Sequence, residues 1–271
     1  MSKNKNSEVQ AKLKELREEQ ARKDKRAKII TVSIVSAAIL VFIGLVLFII
    51  VNGNSSAQPE DLKTGEQSVP ATVTENGAFL VASDSVNENA KRVDVFFDPI
   101  CPGCGIVDRA IGDKLSELVD NGEINLYLSP VSFLDITSSD QYSTRAINAF
   151  ITIAEYDPKL SLKFMNAIFE KDFQPDEGIR YVSVPDESFV EIAKSVGVPD
   201  DISESITQRK YVDWITENSE TQTSRRDLFP EGFSTPSVFI GVTYDSNGIA
   251  TGNKVPFTSE DVLGSFEDAL K

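Results

Sequence analysis

Histidine is absent from all 271 residues of the chain. That absence excludes Ser-His-Asp and Cys-His catalysis, histidine-ligated zinc or haem, and imidazole pH switching. Cysteine is nearly absent as well, with only Cys101 and Cys104. A structural zinc site wants four ligands, usually Cys or His, so two thiolates alone disfavour one and no metal is expected. Basic residues are scarce beside acidic ones: 27 Lys and Arg against 42 Asp and Glu, a net charge of −15. The deficit is uneven, with residues 1–28 at +5 and the remainder at −20. An acidic bulk repels nucleic acid and anionic lipid surfaces, so no nucleic-acid partner is expected, and solubility is the plain reading of the acid. Internal repeats and long low-complexity tracts are missing too.

The long apolar run that most soluble chains lack is present. Residues 29–51, IITVSIVSAAILVFIGLVLFIIV, contain no charge. As a helix rising about 1.5 Å per residue this run spans roughly 34 Å, enough for a hydrocarbon core of about 30 Å. Lys23, Lys25, Arg26 and Lys28 abut its N-terminal side, whereas the next basic residue after it is Lys63. The positive-inside rule then predicts a cytoplasmic tail over 1–28, a transmembrane anchor over 29–51 and everything beyond outside the cell membrane. A leader cut near Ser55–Ala57 is the alternative, although the basic tail and the apolar run are both long for a signal peptide. Residues 52–72, rich in Ser, Gly, Pro and charge, read as a linker. A folded domain is predicted over 73–271.

Within that domain, 78–83 and 92–97 read as strands, the second of them (RVDVFF) broken by Asp98-Pro99. From Cys101 onward a helix is predicted, with Ile106, Ala110, Leu115 and Leu118 as its apolar stripe and Asn121-Gly122 as its stop. Residues 124–131 alternate as another strand. This is a βαβ unit with both cysteines at the strand-to-helix junction. Residues 139–227 read mostly as helices, with Ala146, Ala149, Phe150, Ile153 and Ala154 at helical spacing and Tyr211 and Trp214 as core aromatics. A strand at 237–241, a hairpin turn at 245–248 and a last helix capped by Thr258 or Ser259 complete the order.

Three readings compete for the stretch FFDPICPGCG, residues 96–105. Zinc is disfavoured by the ligand count. A staple is disfavoured because loop-closure stabilisation grows with loop length, and this loop is very short. Thiol–disulfide exchange has positive support. At a helix N-terminus, unpaired N–H groups and the macrodipole favour the Cys101 thiolate, and one helical turn brings Cys104 near it. Pro102 suits the first helical turn. The predicted topology places the pair outside, where disulfides persist.

A second motif, GFSTPSVFIG at 232–241, puts Thr235-Pro236 directly before an apolar strand. Together the two motifs resemble the thioredoxin superfamily. Pro236 lies 132 positions after Cys104, which leaves room for a helical insertion at about 139–227, and so the chain resembles the DsbA-like thiol–disulfide oxidoreductases of the membrane-anchored bacterial type. The resemblance implies an α/β thioredoxin-like fold with an inserted helical domain, preceded here by a single transmembrane helix. It implies catalysis by Cys101 and Cys104, with Cys101 as the attacked sulfur. It also implies substrate contact at Thr235 and a cis Pro236, no cofactor, and exported proteins with cysteine thiols as substrates. Re-oxidation by a membrane partner of the DsbB or vitamin K epoxide reductase type would follow, and the direction predicted is disulfide introduction. A reductase or isomerase of the same fold, or a redox-inert chaperone or binding module, are the alternatives.

Two departures touch the tuning residues. Pro102-Gly103 supplies no histidine between the cysteines. Val95 occupies the place, six residues before the first cysteine, where many relatives carry a buried acid. Asp98 either relays a proton to or from Cys104 or stands as a solvated strand end, and the solvated end is the plainer reading.

Overall fold

The computed structural model describes residues 68–258 and 260–271. The predicted tail, anchor and most of the linker lie outside them, as does Ser259. Among the described residues no helix is long and apolar enough to cross a membrane.

Five strands form one sheet in the order β1-β3-β2-β4-β5. They are β1 (Phe79–Val81), β2 (Lys91–Phe97), β3 (Ile124–Pro130), β4 (Ser237–Tyr244) and β5 (Ala250–Lys254). β2 and β3 run parallel, and the other three pairings are antiparallel. The parallel pair needs a crossover, which α1 (Pro102–Asp120) supplies, so the predicted βαβ unit is present with Cys101 at its turn. Between β3 and β4 come α2 (Tyr142–Ala154), α3 (Pro158–Ile168), α4 (Asp186–Ser195), α5 (Asp200–Ser205) and α6 (Val212–Thr223), and α7 (Val262–Leu270) ends the chain.

Alternation along the strands divides the side chains between two faces. Val93, Val95 and Phe97 of β2, with Ile124, Leu126 and Leu128 of β3, enter the main core, which continues without a break into Phe150, Phe164, Met165 and Phe189 of the helical block. The inserted helices therefore share the core of the sheet. On the opposite face Phe96 packs with Phe229 and Phe239 at ring separations of 5.1 and 5.9 Å. Asp94 is also on that side, ion-paired to Arg92 at 2.7 Å, with the Arg92 guanidinium 3.7 Å over the Tyr127 ring. β4 changes phase within its length: Gly241, at φ +69°, sits in a register shift that returns Val242 to the side of Phe239. A bulge with a left-handed residue is a position that glycine fills without steric cost.

Two sequence expectations need correction. Ile106 is 57% exposed, and the buried stripe of α1 is instead Cys104, Val107, Ile111, Leu115 and Leu118. Once Cys104 faces inward, a residue two positions on falls roughly 200° around the helix, and Ile106 is carried outward. The second concerns the last helix. Its cap is Asp261, whose carboxylate accepts from Gly264 N at 2.8 Å, while Thr258 Oγ1 accepts from Asp261 N at 3.3 Å. Replacing Asp261 by Ala should lower stability by about 1 kcal/mol, the usual cost of a lost N-cap, read as a reduced urea midpoint. An unchanged midpoint would remove Asp261 from that role.

The predicted stop of α1 holds: Asn121 is the C-cap, and Gly122, at φ +69°, donates to Val119 O. Tyr211 is buried, and Trp214 packs edge-on against Phe79 at 5.7 Å.

Candidate active site

Cys101 ends the turn that follows β2. Its N–H donates to Asp98 O at 3.0 Å, closing the turn, and its backbone is extended at φ −62°, ψ 117°. That conformation makes Cys101 the N-cap of α1, with its sulfur accepting from Cys104 N at 3.4 Å. A side chain at the N-cap faces the orphan N–H groups of the first turn, so this sulfur sits where negative charge is favoured. Pro102 takes the first helical position, where its missing N–H costs nothing.

Both cysteines are free thiols, and both are buried. Their surroundings drive them apart. The Cys101 thiol is brought down to about 6, chiefly by the hydrogen bond from Cys104, against an opposing effect of burial and with further help from Thr235 and the N–H groups of Cys104 and Gly103. Cys104 is pushed well above its ordinary range, first by burial and then by the neighbouring Cys101 sulfur. One sulfur is thus set up to be a thiolate and the other to hold its proton, the asymmetry that stepwise exchange requires.

The strand-preceding loop closes over the pair. The Thr235–Pro236 peptide bond is cis. Cys101 Sγ lies 3.6 Å from Thr235 O, to which the thiol can donate. Thr235 Oγ1 is buried without a hydrogen-bond partner, and the side chain stabilises the thiolate form of Cys101. Gly103 permits the close approach: a Cβ there would lie 3.1 Å from Pro236 Cδ and 3.7 Å from Cys101 Sγ. Thr235 and Pro236 are therefore brought against Cys101 and Gly103, although Thr235 lies 134 positions after Cys101 in the sequence.

Asp98 is not a solvated strand end. It is 0% exposed. Its carboxylate accepts from Ser143 Oγ, from Ile100 N at 3.2 Å and from Leu134 N at 2.9 Å. Burial outweighs these donors and raises its carboxyl to about 7. The backbone N–H of Asp98 also favours the Cys104 thiolate. A buried acid thus accompanies the cysteines, three residues after Val95, whose side chain points into the core. The carboxylate itself contacts Ile100, Leu134 and Ser143, and it is the backbone of Asp98 that reaches Cys104.

Two participants carried no signal in the sequence. Ser143 lies in the first turn of α2 and bridges Asp98 and Ile100. Gln174, in the loop after α3, donates through Nε2 to Pro99 O at 3.1 Å and to Cys101 O at 2.9 Å. Polar residues in loops are common, and only the tertiary contact distinguishes these.

A family model described as thioredoxin matches residues 87–248. Over 111 residues the chain is 35% identical to the serine/threonine-protein kinase PknE of Mycobacterium tuberculosis, a match covering 40% of this chain and 19% of that protein. The chain therefore spans about a fifth of the length of the curated relatives it matches. Among solved structures, the thiol-disulfide oxidoreductase MdbA of Corynebacterium diphtheriae superposes with a TM-score of 0.57 at 20% identity, covering 75% of this chain and 96% of that one. The reduced disulfide bond oxidoreductase DsbG of M. tuberculosis gives 0.56 at 23% identity, with coverages of 73% and 94%. Oxidised DsbA of M. tuberculosis gives 0.54 at 24%, with coverages of 71% and 97%. At these identities the likeness is one of fold.

Proposed function

From the chain's membership of the thioredoxin family, we propose that it is a DsbA-like thiol–disulfide oxidoreductase that introduces disulfides into exported proteins. The observation that carries this reading is the placement of Cys101 Sγ: it caps α1, accepts from Cys104 N, and lies against Thr235 beside the cis Pro236, with Cys104 buried behind it.

In the oxidised protein a client thiolate attacks the Cys101 sulfur. The Cys101–Cys104 bond breaks, and Cys104 leaves with the electron pair and takes up a proton. The client's second thiolate then attacks the client sulfur of the mixed disulfide, releasing Cys101 as a thiolate. Two electrons pass from the client to the protein. A client backbone would lie along Thr235 and Pro236. The surroundings of Cys101 favour its thiolate, which stabilises the reduced form and makes the disulfide a stronger oxidant. Residues 29–51 would hold the domain outside the cell membrane, and a membrane re-oxidant of the DsbB or vitamin K epoxide reductase type would restore the disulfide.

The potential of the pair tests the direction. A value between about −180 and −120 mV is expected, whereas one near the −270 mV of thioredoxin would sink the oxidase reading in favour of a reductase. Exchange itself is tested by Cys104→Ser. In that variant the Cys101 thiolate attacks client disulfides in the reverse direction, and with no Cys104 thiolate to break the adduct, mixed disulfides on Cys101 should accumulate and run as reductant-sensitive adducts of the full-length protein. Their absence would favour a redox-inert binding module.

A further inference from the structure

The contact between Gln174 and the catalytic turn is unlike the rest of the site, because it comes from the helical block and reaches no sulfur. Its Nε2 spans two carbonyls of one turn, Pro99 O and Cys101 O. On its other side Gln174 Oε1 faces Arg109 Nη1 of α1 at 3.5 Å, and Arg109 itself donates to Phe169 O at the end of α3. Room for this arrangement exists because residue 105 is glycine. A Cβ at Gly105 would lie 2.1 Å from Gln174 Oε1 and 2.7 Å from Arg109 Nη1. Glycine within a helix costs about 1 kcal/mol relative to alanine. Here it leaves open the place that the amide fills.

We propose that Gln174 is a positioning residue for Cys101, holding the Pro99–Cys101 turn so that the first N–H groups of α1 stay aimed at the Cys101 sulfur. The carbonyl of Cys101 is the hinge of this argument. It accepts both from Gln174 Nε2 and from Gly105 N at 3.2 Å. Its orientation fixes ψ of Cys101, and with it the approach of the sulfur to Cys104 N. Donation from Gln174 also offsets the negative ends of two carbonyl dipoles beside a developing thiolate. Without the amide Pro99 O loses this donor and Cys101 O keeps only that of Gly105 N, so the turn is held less firmly and its carbonyl dipoles are less compensated against the charge.

Other charges act on this corner. α1 supplies Cys104, Arg109 and Asp108, and Asp108 is raised to about 7 by burial and, more weakly, by Glu170 beyond α3. The strand end supplies Asp98 and the loop before β4 supplies Thr235. Gln174 bears no charge, so its removal leaves all of these in place and alters only the hydrogen bonding.

The inference concerns the sulfur that the proposed function uses, but its test needs no client. In the reduced full-length protein, Cys101 alkylation by iodoacetamide is followed from pH 4 to 9 in Gln174→Met, Gln174→Glu and Gly105→Ala, with melting temperatures alongside. Losing a donor that supports the charged form should raise the apparent Cys101 pKa by about 0.5–1 unit in Gln174→Met, and further in Gln174→Glu, which adds a carboxylate. Gly105→Ala should reproduce the rise by displacing the amide while improving helix propensity, so stability and pKa separate. The proposal is overturned if Gln174→Met and Gln174→Glu keep the pKa of the parent, whatever their melting temperatures. A parent protein that alkylates normally yet exchanges no disulfides would sink the proposed function and leave this result readable.

Discussion

Alkylation of Cys101 in the reduced protein should slow about a hundredfold between pH 7 and pH 4, because only the thiolate reacts. With the thiol at about 6, the thiolate fraction goes from about nine tenths to about one hundredth over that range. Cys101→Ser should abolish both the fast alkylation and all exchange with dithiols, a loss of at least about 10³-fold, since no other nucleophile occupies the helix cap. A rate that keeps rising through pH 8 or 9 would show an ordinary thiol and refute the capped arrangement. The same depression has a sign in stability. A folded-state pKa below the unfolded value contributes stability that is present above the unfolded pKa and is lost as pH falls through about 6. At pH 7 one unit of ionisation separates the states, which is about 1.4 kcal/mol. The disulfide form has no such group. Its stability relative to the reduced form should therefore fall as pH rises from 6 toward 9, until the raised Cys104 begins to oppose the trend.

Asp98→Asn should stabilise the protein at pH 8 and give no benefit at pH 4. The Asp98 carboxyl is raised to about 7, whereas an unfolded aspartate titrates near 3.9. Here the folded value lies above the unfolded one, so the contribution to stability is fully present below about pH 4 and is lost as pH rises through 7. About three units correspond to roughly 4 kcal/mol as an upper limit. Asparagine recovers less, because its amide cannot accept from Ser143, Ile100 and Leu134 together. A net gain of about 1–3 kcal/mol at pH 8 is expected from urea unfolding of the reduced protein at the two pH values. Equal destabilisation at both would mean that the three donors matter and the buried charge does not. A slower release of mixed disulfides through Cys104 in the same variant would identify Asp98 as the group that exchanges the proton.

Much of the fold was legible beforehand because its signals are local. The alternation in 92–97 and 124–131, the CPGC turn and the Asn121-Gly122 stop each act within a few residues, and each element formed near its predicted bounds. The phase of α1 is not legible in the sequence because Ile106 is as apolar as Val107, and only the packing of Cys104 chooses between them. The burial of Asp98 is hidden from the sequence for a related reason. A carboxylate after a strand is ordinarily solvated, and what buries this one is α2, folded back from more than 40 residues away to place Ser143 on it.

By itself the sequence determined the chemistry that is possible: no histidine, two thiols one helical turn apart, and a proline before a returning strand. Those are matters of composition and short spacing, which covalent geometry turns directly into structure. Which sulfur ionises, which keeps its proton, where the acid stands and what holds the turn were decided only in three dimensions. Each of these depends on desolvation and on donors such as Cys104 N, Ser143 and Gln174, and a buried electrostatic environment exists only once distant segments have closed over it.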